Sequence, residues 1–441
     1  MKSDRAVPVA IIGGGFSGTI LAAQLARRGI HSVLIDGSGR VGRGVAYSTK
    51  EPAHLLNLRA EGMSAWAGEP AHFARRFETE GGDARGFAER RFFARYVGDI
   101  LDEAVGSGNT EIIEDFAVKA SRGDGTWRVD LRDGGTIEAR AVVLAIGNQE
   151  PEPLRAFLSA GPRYIRDPWG SEARAAVEDL AATGERALLV GTGLTMVDLA
   201  LSLDSAGYRG RAVALSRRGQ IPRSHADFDP APVELDEVPR GTLLGLWRWL
   251  RKQSGQVGWR AAIDSLRPHS HALWQGLDGE QQQRFLRHAR PWWDVHRHRI
   301  APQVAQTITG VIAGGHLEVM AGRVVTANST GDALEVDIRK RGASHSQTMS
   351  FAYVFNCTGP LHSIGRTREP VLRSLLDRGL LRPDHLGIGL QVDASSRAAG
   401  ADRLWALGPL TKGRYWEIIA VPDIREQAAA VAEDIARELT A

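Results

Sequence analysis

The apolar run Val7-Pro-Val-Ala-Ile-Ile12 passes directly into Gly13-Gly-Gly15-Phe-Ser-Gly18, and Thr19 to Arg28 then places Ile20, Leu21 and Leu25 at helical spacing. This order predicts a strand, a tight turn and a helix. His31 to Ile35 predicts the next strand, which ends at Asp36. A second unit of the same kind starts near mid-chain. Ala187-Leu-Leu-Val190 leads into Gly191-Thr-Gly193-Leu-Thr-Met196, followed by a helix from Val197 to Leu203 and a strand from Ala212 to Leu215. Glu111 to Ala139 predicts three short strands with turns at Gly123-Asp-Gly125 and Asp133-Gly-Gly135, and Ala141 to Gly147 predicts a buried strand after them. Leu317 to Met349 repeats that meander around Gly331-Asp332, and Phe351 to Gly359 repeats its ending. Leu404 to Gly408 predicts a last strand and Ile424 to Leu439 a closing helix.

His225 to Pro302 follows a different rule. Leu243, Leu246, Trp247 and Leu250 fall on one helical face, and six of the chain's 11 Trp lie between Trp247 and Trp293. A helical insertion is predicted, serving either as a cap that shapes a pocket or as a Trp-packed subdomain or dimer interface.

The chain has 441 residues, enough for two or three domains, with 43% hydrophobic and 24% charged residues, the averages of globular chains. Its 55 Lys+Arg against 52 Asp+Glu leave +3, too little excess to imply nucleic acid. The basic run Arg284 to Arg299 reads as a solvated helix face or an anion-binding patch. Asp294, His296 and His298 lack further ligands at metal spacing, and Arg297 and Arg299 would repel a cation, so no metal is expected. The single cysteine, Cys357, excludes an intramolecular disulfide and a redox-active pair, and the expected location is cytoplasmic. No run approaches the roughly 18 apolar residues of a membrane span.

The glycines carry the candidate chemistry. Gly13 makes the turn, Gly15 lets the backbone approach a pyrophosphate, Gly18 lets helix pack on strand, and the helix N-terminus offers N–H groups through Phe16 and Ser17. Asp36 stands where an acid hydrogen-bonds an adenosine ribose. In the second unit Gly191, Gly193, Leu194 and Thr195 take the same places, while Met196 replaces the third glycine and implies looser contact of helix and strand. The strand after it ends in Ser216-Arg217-Arg218-Gly219. Paired guanidiniums there suit a 2′-phosphate, so this site favours NADP(H) over NAD(H).

The two glycine loops, with Ala145-Ile-Gly147 and Cys357-Thr-Gly359 after them, resemble the two-dinucleotide-binding-domain flavoproteins. More narrowly the chain is similar to a bacterial FAD/NAD(P)-binding protein family that itself resembles the flavin-dependent lysine and ornithine N-monooxygenases. The blocks that carry this are Gly42-Arg-Gly-Val-Ala-Tyr47, His54-Leu-Leu-Asn57, Gly191 to Asp198, Ser216 to Gly219, Trp292 to Arg299, Asn356 to Pro360 and Ala406 to Pro409. The resemblance implies an α/β fold of two Rossmann-like domains, FAD in the first and NADPH in the second, with β-meanders and a helical insertion. It implies FAD domain segments 1–160 and 360–441, NADPH domain segments 161–224 and 306–359, and the insertion at 225–305. It places Gly42 to Met63 along the flavin, which makes His54 and Asn57 candidate catalytic groups and Asn57, Met63, Gly147 and Gly408 candidate FAD contacts. Pro409 stands where this fold usually has an Asp.

The implied reaction is NADPH-driven oxygenation of a small, amine-containing substrate by molecular oxygen. Arg163 to Trp169 lacks the His of the F-x-G-x-x-x-H fingerprint of other flavin monooxygenases. An NADPH-dependent reductase or oxidase and a non-catalytic flavin-binding redox sensor are the alternatives. Neither nucleic acid nor membrane is an expected partner.

Overall fold

A computed structural model describes residues 6–440. Its first sheet contains β1 (Val7–Ile12), β2 (Ser32–Ile35), β3 (Thr110–Ile113), β4 (Ala117–Arg122), β5 (Trp127–Leu131) and β6 (Thr136–Leu144), in the order β3-β2-β1-β6-β5-β4. Its second sheet contains β7 (Tyr164–Ile165), β8 (Ala187–Val190), β9 (Ala212–Ser216), β10 (Leu317–Ser329), β11 (Leu334–Lys340), β12 (Gln347–Phe351) and β13 (Tyr353–Asn356), in the order β12-β11-β10-β9-β8-β13-β7. A last strand, β14 (Leu404–Ala406), returns to the first sheet beside β6.

Each sheet is a parallel core extended by an antiparallel meander, and in each one long strand serves both. The first half of β6 pairs antiparallel with β5, and its second half pairs parallel with β14 on the same side. In the second sheet β10 lies parallel to β9 over Leu317–Ala321 and antiparallel to β11 from Gly322 onward. This corrects the expected meander in two places. The segment at Thr110 is a parallel core strand beside β2, and the third meander strand is continuous with the buried strand at Ala141. The reason is burial: β6 alternates exposed and buried residues from Thr136 to Ala139 and is buried throughout from Ala141 to Leu144, so two sequence patterns describe one strand.

The helix Phe16–Ala26 lies beneath β1 and against the closing helix, which runs from Val421 to Thr440 and starts three residues earlier than its periodicity predicts. Trp405 anchors that contact, fully buried, with its indole N–H donated to Asp434 Oδ2 at 2.9 Å. The insertion forms helices at Leu243–Val257, Trp259–Ser265, Ser270–Gln275, Gly279–Arg284 and Arg290–Arg297, with one π turn at Phe285–Ala289. Its core joins Leu250, Trp274, Phe285 and Trp293 to Leu386, Ile388 and Trp416 of the last chain segment. Among the described residues no helix is long and apolar enough to cross a membrane.

Candidate functional site

The first glycine loop is held by backbone contacts that a side chain would break. Gly13 adopts φ +105°, and a Cβ there would stand 2.5 Å from the Ala145 carbonyl oxygen. Gly18 meets the Gly13 carbonyl so closely that a Cβ would lie 1.9 Å from it. Gly15 sits opposite Gly44, with 3.6 Å between its would-be Cβ and the Gly44 Cα. Gly42 donates its N–H to the Gly14 carbonyl at 2.8 Å, so the Gly42–Tyr47 block closes over the loop. Asp36 accepts from the Gly14 N–H through Oδ2 (2.7 Å) and from the Ser38 N–H through Oδ1 (2.8 Å). Its carboxylate therefore holds the loop in shape while keeping the lone pairs a ribose needs. Gly147, at φ +76°, has nothing within 4 Å of a would-be Cβ, which leaves open space at the end of β6. A bare-backbone loop at a helix N-terminus beside a carboxylate fits the pyrophosphate and ribose of a dinucleotide.

Two predicted residues far apart in the chain meet here. Ser17 Oγ lies 2.8 Å from where a Cβ of Gly408 would stand. The closing helix fixes that approach: Gln427 Oε1 accepts from the Gly408 N–H at 2.8 Å, and its amide nitrogen donates to Ser396 Oγ and Thr411 Oγ1 at 3.0 Å each. Gln427 carries no motif and is recognisable only in three dimensions. Lys412 is a second residue outside the sequence reading. It lines a small cavity with Gly147, Asn148, Gln149 and Pro409, and donates from Nζ to the Leu361 carbonyl at 3.2 Å. Burial pushes its ammonium down to about 8.

Three further candidates have the following surroundings. Phe16 turns its ring into the core, 5.8 Å from Phe93, and only its backbone belongs to the loop. Met63 is 2% exposed and packs in the same core, so its side chain walls that core from inside. Asn57 uses its backbone carbonyl to accept from His225 Nε2–H at 3.0 Å.

His54 is the main correction among the catalytic candidates. Its Nδ1 accepts from Thr49 Oγ1 (2.8 Å), and its Nε2–H donates to the Asp198 carbonyl (2.8 Å) in the helix Leu194–Ser205 of the second domain. Both ring nitrogens are spent on protein, and the residue is 3% exposed. It joins the domains and has no nitrogen left to exchange a proton with a substrate. Arg90 reinforces this junction, donating Nη2 to Asp198 Oδ1 at 2.9 Å and Nε to the Leu55 carbonyl at 3.2 Å.

The second glycine loop repeats the first. Gly191 has φ +122°, and a Cβ would lie 2.0 Å from the Cys357 carbonyl oxygen. Gly193 caps the helix Leu194–Ser205 and has nothing within 4 Å of a would-be Cβ. Leu194 and Thr195 are the first half-buried residues of that helix. Met196 is fully buried in the second core. Ser216 Oγ accepts from the Gly219 N–H at 3.0 Å and from Thr192 Oγ1 at 2.9 Å, shaping the turn that carries the arginines. Arg217 is exposed beside the loop, and Arg218 lies over the Trp292 ring of the insertion at 5.6 Å. Open backbone at a helix start next to two guanidiniums fits a phosphorylated dinucleotide.

His225 lies where the insertion leaves the second domain. Burial, reinforced by the nearby Arg299, pushes its pKa from 6.5 down to about 4. The fold thus holds it neutral, and the stability gained is complete above pH 6.5 and lost as pH falls through about 4. The melting temperature should fall across this window, and His225→Gln should flatten that part of the profile. Parallel profiles for the two proteins would show that His225 is not the group responsible.

With this geometry in view, residues 10–149 match the model of a family described as FAD-NAD(P)-binding. A sequence comparison with curated proteins returns no match. Among solved structures the chain is similar to L-lysine 6-monooxygenase from Pseudomonas syringae, at 17% identity and TM-score 0.69 over 98% of this chain and 99% of that one. It is similar to the ornithine N-hydroxylase of Kutzneria sp. 744 with reduced FAD, NADP+ and L-ornithine, at 16% identity and TM-score 0.64 over 98% of this chain and 100% of the other. It is also similar to a bacillithiol disulfide reductase from Bacillus cereus, at 14% identity and TM-score 0.60 over 98% and 100% of the two chains. All three share the fold.

Proposed function

We propose that this chain, a flavin-dependent oxidoreductase with two dinucleotide-binding domains that takes FAD and NADP(H), is a monooxygenase acting on a small, amine-containing substrate. The observation that carries the choice is the state of its only cysteine. The neighbouring folds include N-hydroxylating enzymes and a disulfide reductase. Cys357 is 3% exposed, and burial pushes its thiol far above the usual range. Thiol–disulfide exchange needs an accessible thiolate, often with a partner cysteine. Of the two kinds of neighbouring fold, the N-hydroxylating enzymes are then the better guide to this chain's reaction.

Bound FAD would supply the electron storage and oxygen chemistry. The protein's own part is positioning. Gly13, Gly15, Gly18 and the N-terminus of the helix Phe16–Ala26 would hold the FAD pyrophosphate, and Asp36 its ribose. Gly191, Gly193, Leu194 and Thr195 would hold the pyrophosphate of NADPH. Arg217 and Arg218 would pair with its 2′-phosphate, and Trp292 keeps Arg218 oriented toward the insertion. The insertion would cover the reacting centre and exclude water.

Replacing both Arg217 and Arg218 by Ala should raise the apparent KM for NADPH by roughly 10- to 100-fold, the loss of one or two charge-assisted hydrogen bonds. The KM for NADH should change little. Equal increases for both nucleotides in steady-state assays would remove the phosphate role.

The reading itself is tested by mixing the purified holoprotein with NADPH or NADH without oxygen, then admitting oxygen with a panel of small amines. Rapid bleaching selective for NADPH, with electrons appearing in a hydroxylated product, is the expected result. Electrons recovered wholly as hydrogen peroxide with every amine would favour the reductase or oxidase. No bleaching by either nucleotide would favour the redox sensor.

A further inference from the structure

Of the chain's 11 Trp only Trp292, at 40% exposure, stands in solvent, and the others are buried or half-buried. A single exposed apolar side chain is ordinary on a folded protein. What sets Trp292 apart is how it is held and what lies beside it. Its helix, Arg290–Arg297, buries Trp293, Val295 and Arg297. Trp293 donates its indole N–H to Glu417 Oε1 at 2.8 Å, and His296 donates from Nδ1 to the Trp292 carbonyl at 2.7 Å. The π turn at Phe285–Ala289 comes just before, a widening of the helix that recurs at functional sites. An anchored helix therefore presents the Trp292 indole to solvent.

Beside the indole is the turn that carries the arginines. Arg218 lies 5.6 Å from the Trp292 ring centre and donates Nη2 to the His288 carbonyl at 3.4 Å. Among the described residues neither Arg217 nor Arg218 has a carboxylate partner. Asp294, the one acid of the Trp292 helix, is already paired with Arg290 at 3.2 Å. Both guanidiniums of the turn are thus free to pair with a phosphate. In a 2′-phosphorylated dinucleotide that phosphate and the purine sit on adjacent carbons of one ribose, C2′ and C1′. A phosphate held by Arg217 and Arg218 therefore brings the purine within one sugar of the Trp292 ring. Every base has a π-face, and stacking it on an aromatic side chain is worth roughly 5- to 150-fold in affinity.

We propose that Trp292 is a stacking platform for the adenine of NADP(H), so that the insertion supplies the base contact and the second domain the phosphate contact. This rests on the placing of the 2′-phosphate at Arg217 and Arg218, and adds to it a residue that recognises the base. The two successive Trp then have different tasks. Trp293 fixes the helix from inside, and Trp292 meets the nucleotide outside.

The test reads binding to the oxidised holoprotein, so it succeeds or fails independently of flavin reduction and of oxygenation. Adenosine 2′-monophosphate and uridine 2′-monophosphate, which share the ribose and its phosphate and differ in the base, are titrated by calorimetry. The adenine nucleotide should bind at least about fivefold more tightly, because a purine stacks over a larger area than a pyrimidine. Trp292→Leu should weaken it by roughly 5- to 100-fold and bring the two nucleotides to similar affinities. Trp292→Phe, which keeps an aromatic face, should retain most of the affinity. Unchanged adenosine 2′-monophosphate affinity in Trp292→Leu would overturn the platform and leave the phosphate site standing. An equal loss for both nucleotides would mean that Trp292 acts only by orienting Arg218, and would overturn it as well. A change of oligomeric state in Trp292→Leu at unchanged nucleotide affinity would assign the indole to a subunit contact instead. Absence of saturable binding by the unaltered protein, or full binding after both Arg217 and Arg218 are replaced by Ala, would remove the phosphate site and the platform with it.

Discussion

Gly191→Ala is expected to yield a protein that retains FAD but is reduced by NADPH about 100-fold more slowly, or not at all. The new Cβ would stand 2.0 Å from the Cys357 carbonyl oxygen and 2.5 Å from its carbon, both backbone atoms that no rotamer change can move aside. The residue also has φ +122°, a conformation that strains any L side chain, and its N–H is fixed to the Leu215 carbonyl at 2.8 Å. The end of β8 must therefore separate from the end of β13, which displaces the helix start where the pyrophosphate of NADPH would lie. The first sheet draws none of its strands from this region, so flavin content should remain close to that of the unaltered protein. Gly193→Ala provides the contrast. Its Cβ would meet nothing within 4 Å, so folding should be unaffected while the methyl group fills the phosphate space. Anaerobic stopped-flow reduction and flavin-to-protein absorbance ratios check both variants. Reduction of Gly191→Ala at the unaltered rate would remove this loop from NADPH binding.

Arg90→Met should have the largest effect on stability. It would leave Asp198, with a side chain 7% exposed, as a buried charge without its partner 2.9 Å away. Breaking such a pair from one side costs about 3–5 kcal/mol, a fall in melting temperature on the order of 10 °C. The double replacement Arg90→Met with Asp198→Leu should recover most of that loss, because an apolar pair needs no counter-charge. Calorimetry of the two single variants and the double variant closes the cycle. A double variant no more stable than Arg90→Met would mean that the two residues do not act through each other. The same junction explains why His54 serves the architecture. A histidine held to its own loop through Nδ1 and to the second domain through Nε2 contributes to their relative position and has no free proton-transfer site.

The strand-turn-helix units, both glycine loops, the acid at Asp36, the arginine pair and the helical insertion are legible in the amino-acid order, because each is set by interactions within about thirty residues. Gly13 and Gly191 are required by local backbone shape, and a run such as Ala187 to Val190 announces a buried strand without reference to the rest of the chain. Side-chain direction and long-range pairing are a different matter. Phe16 and Met63 belong to sequence blocks that imply cofactor contact, and that their side chains pack in the core with the helix Arg90–Gly106 is seen only in the folded chain. His54 reads alone as a candidate acid or base, and only the approach of Asp198, 144 residues away, takes up its Nε2. Gln427 and Lys412 carry no pattern at all. Their importance arises because the closing helix and the Gly408 turn return to the first glycine loop, a contact made by tertiary folding. The run from Arg284 to Arg299 is readable as a basic stretch. Which of its arginines is ion-paired and which keeps an unpartnered buried donor depends on what lies opposite each one, and that is decided only when distant segments pack together.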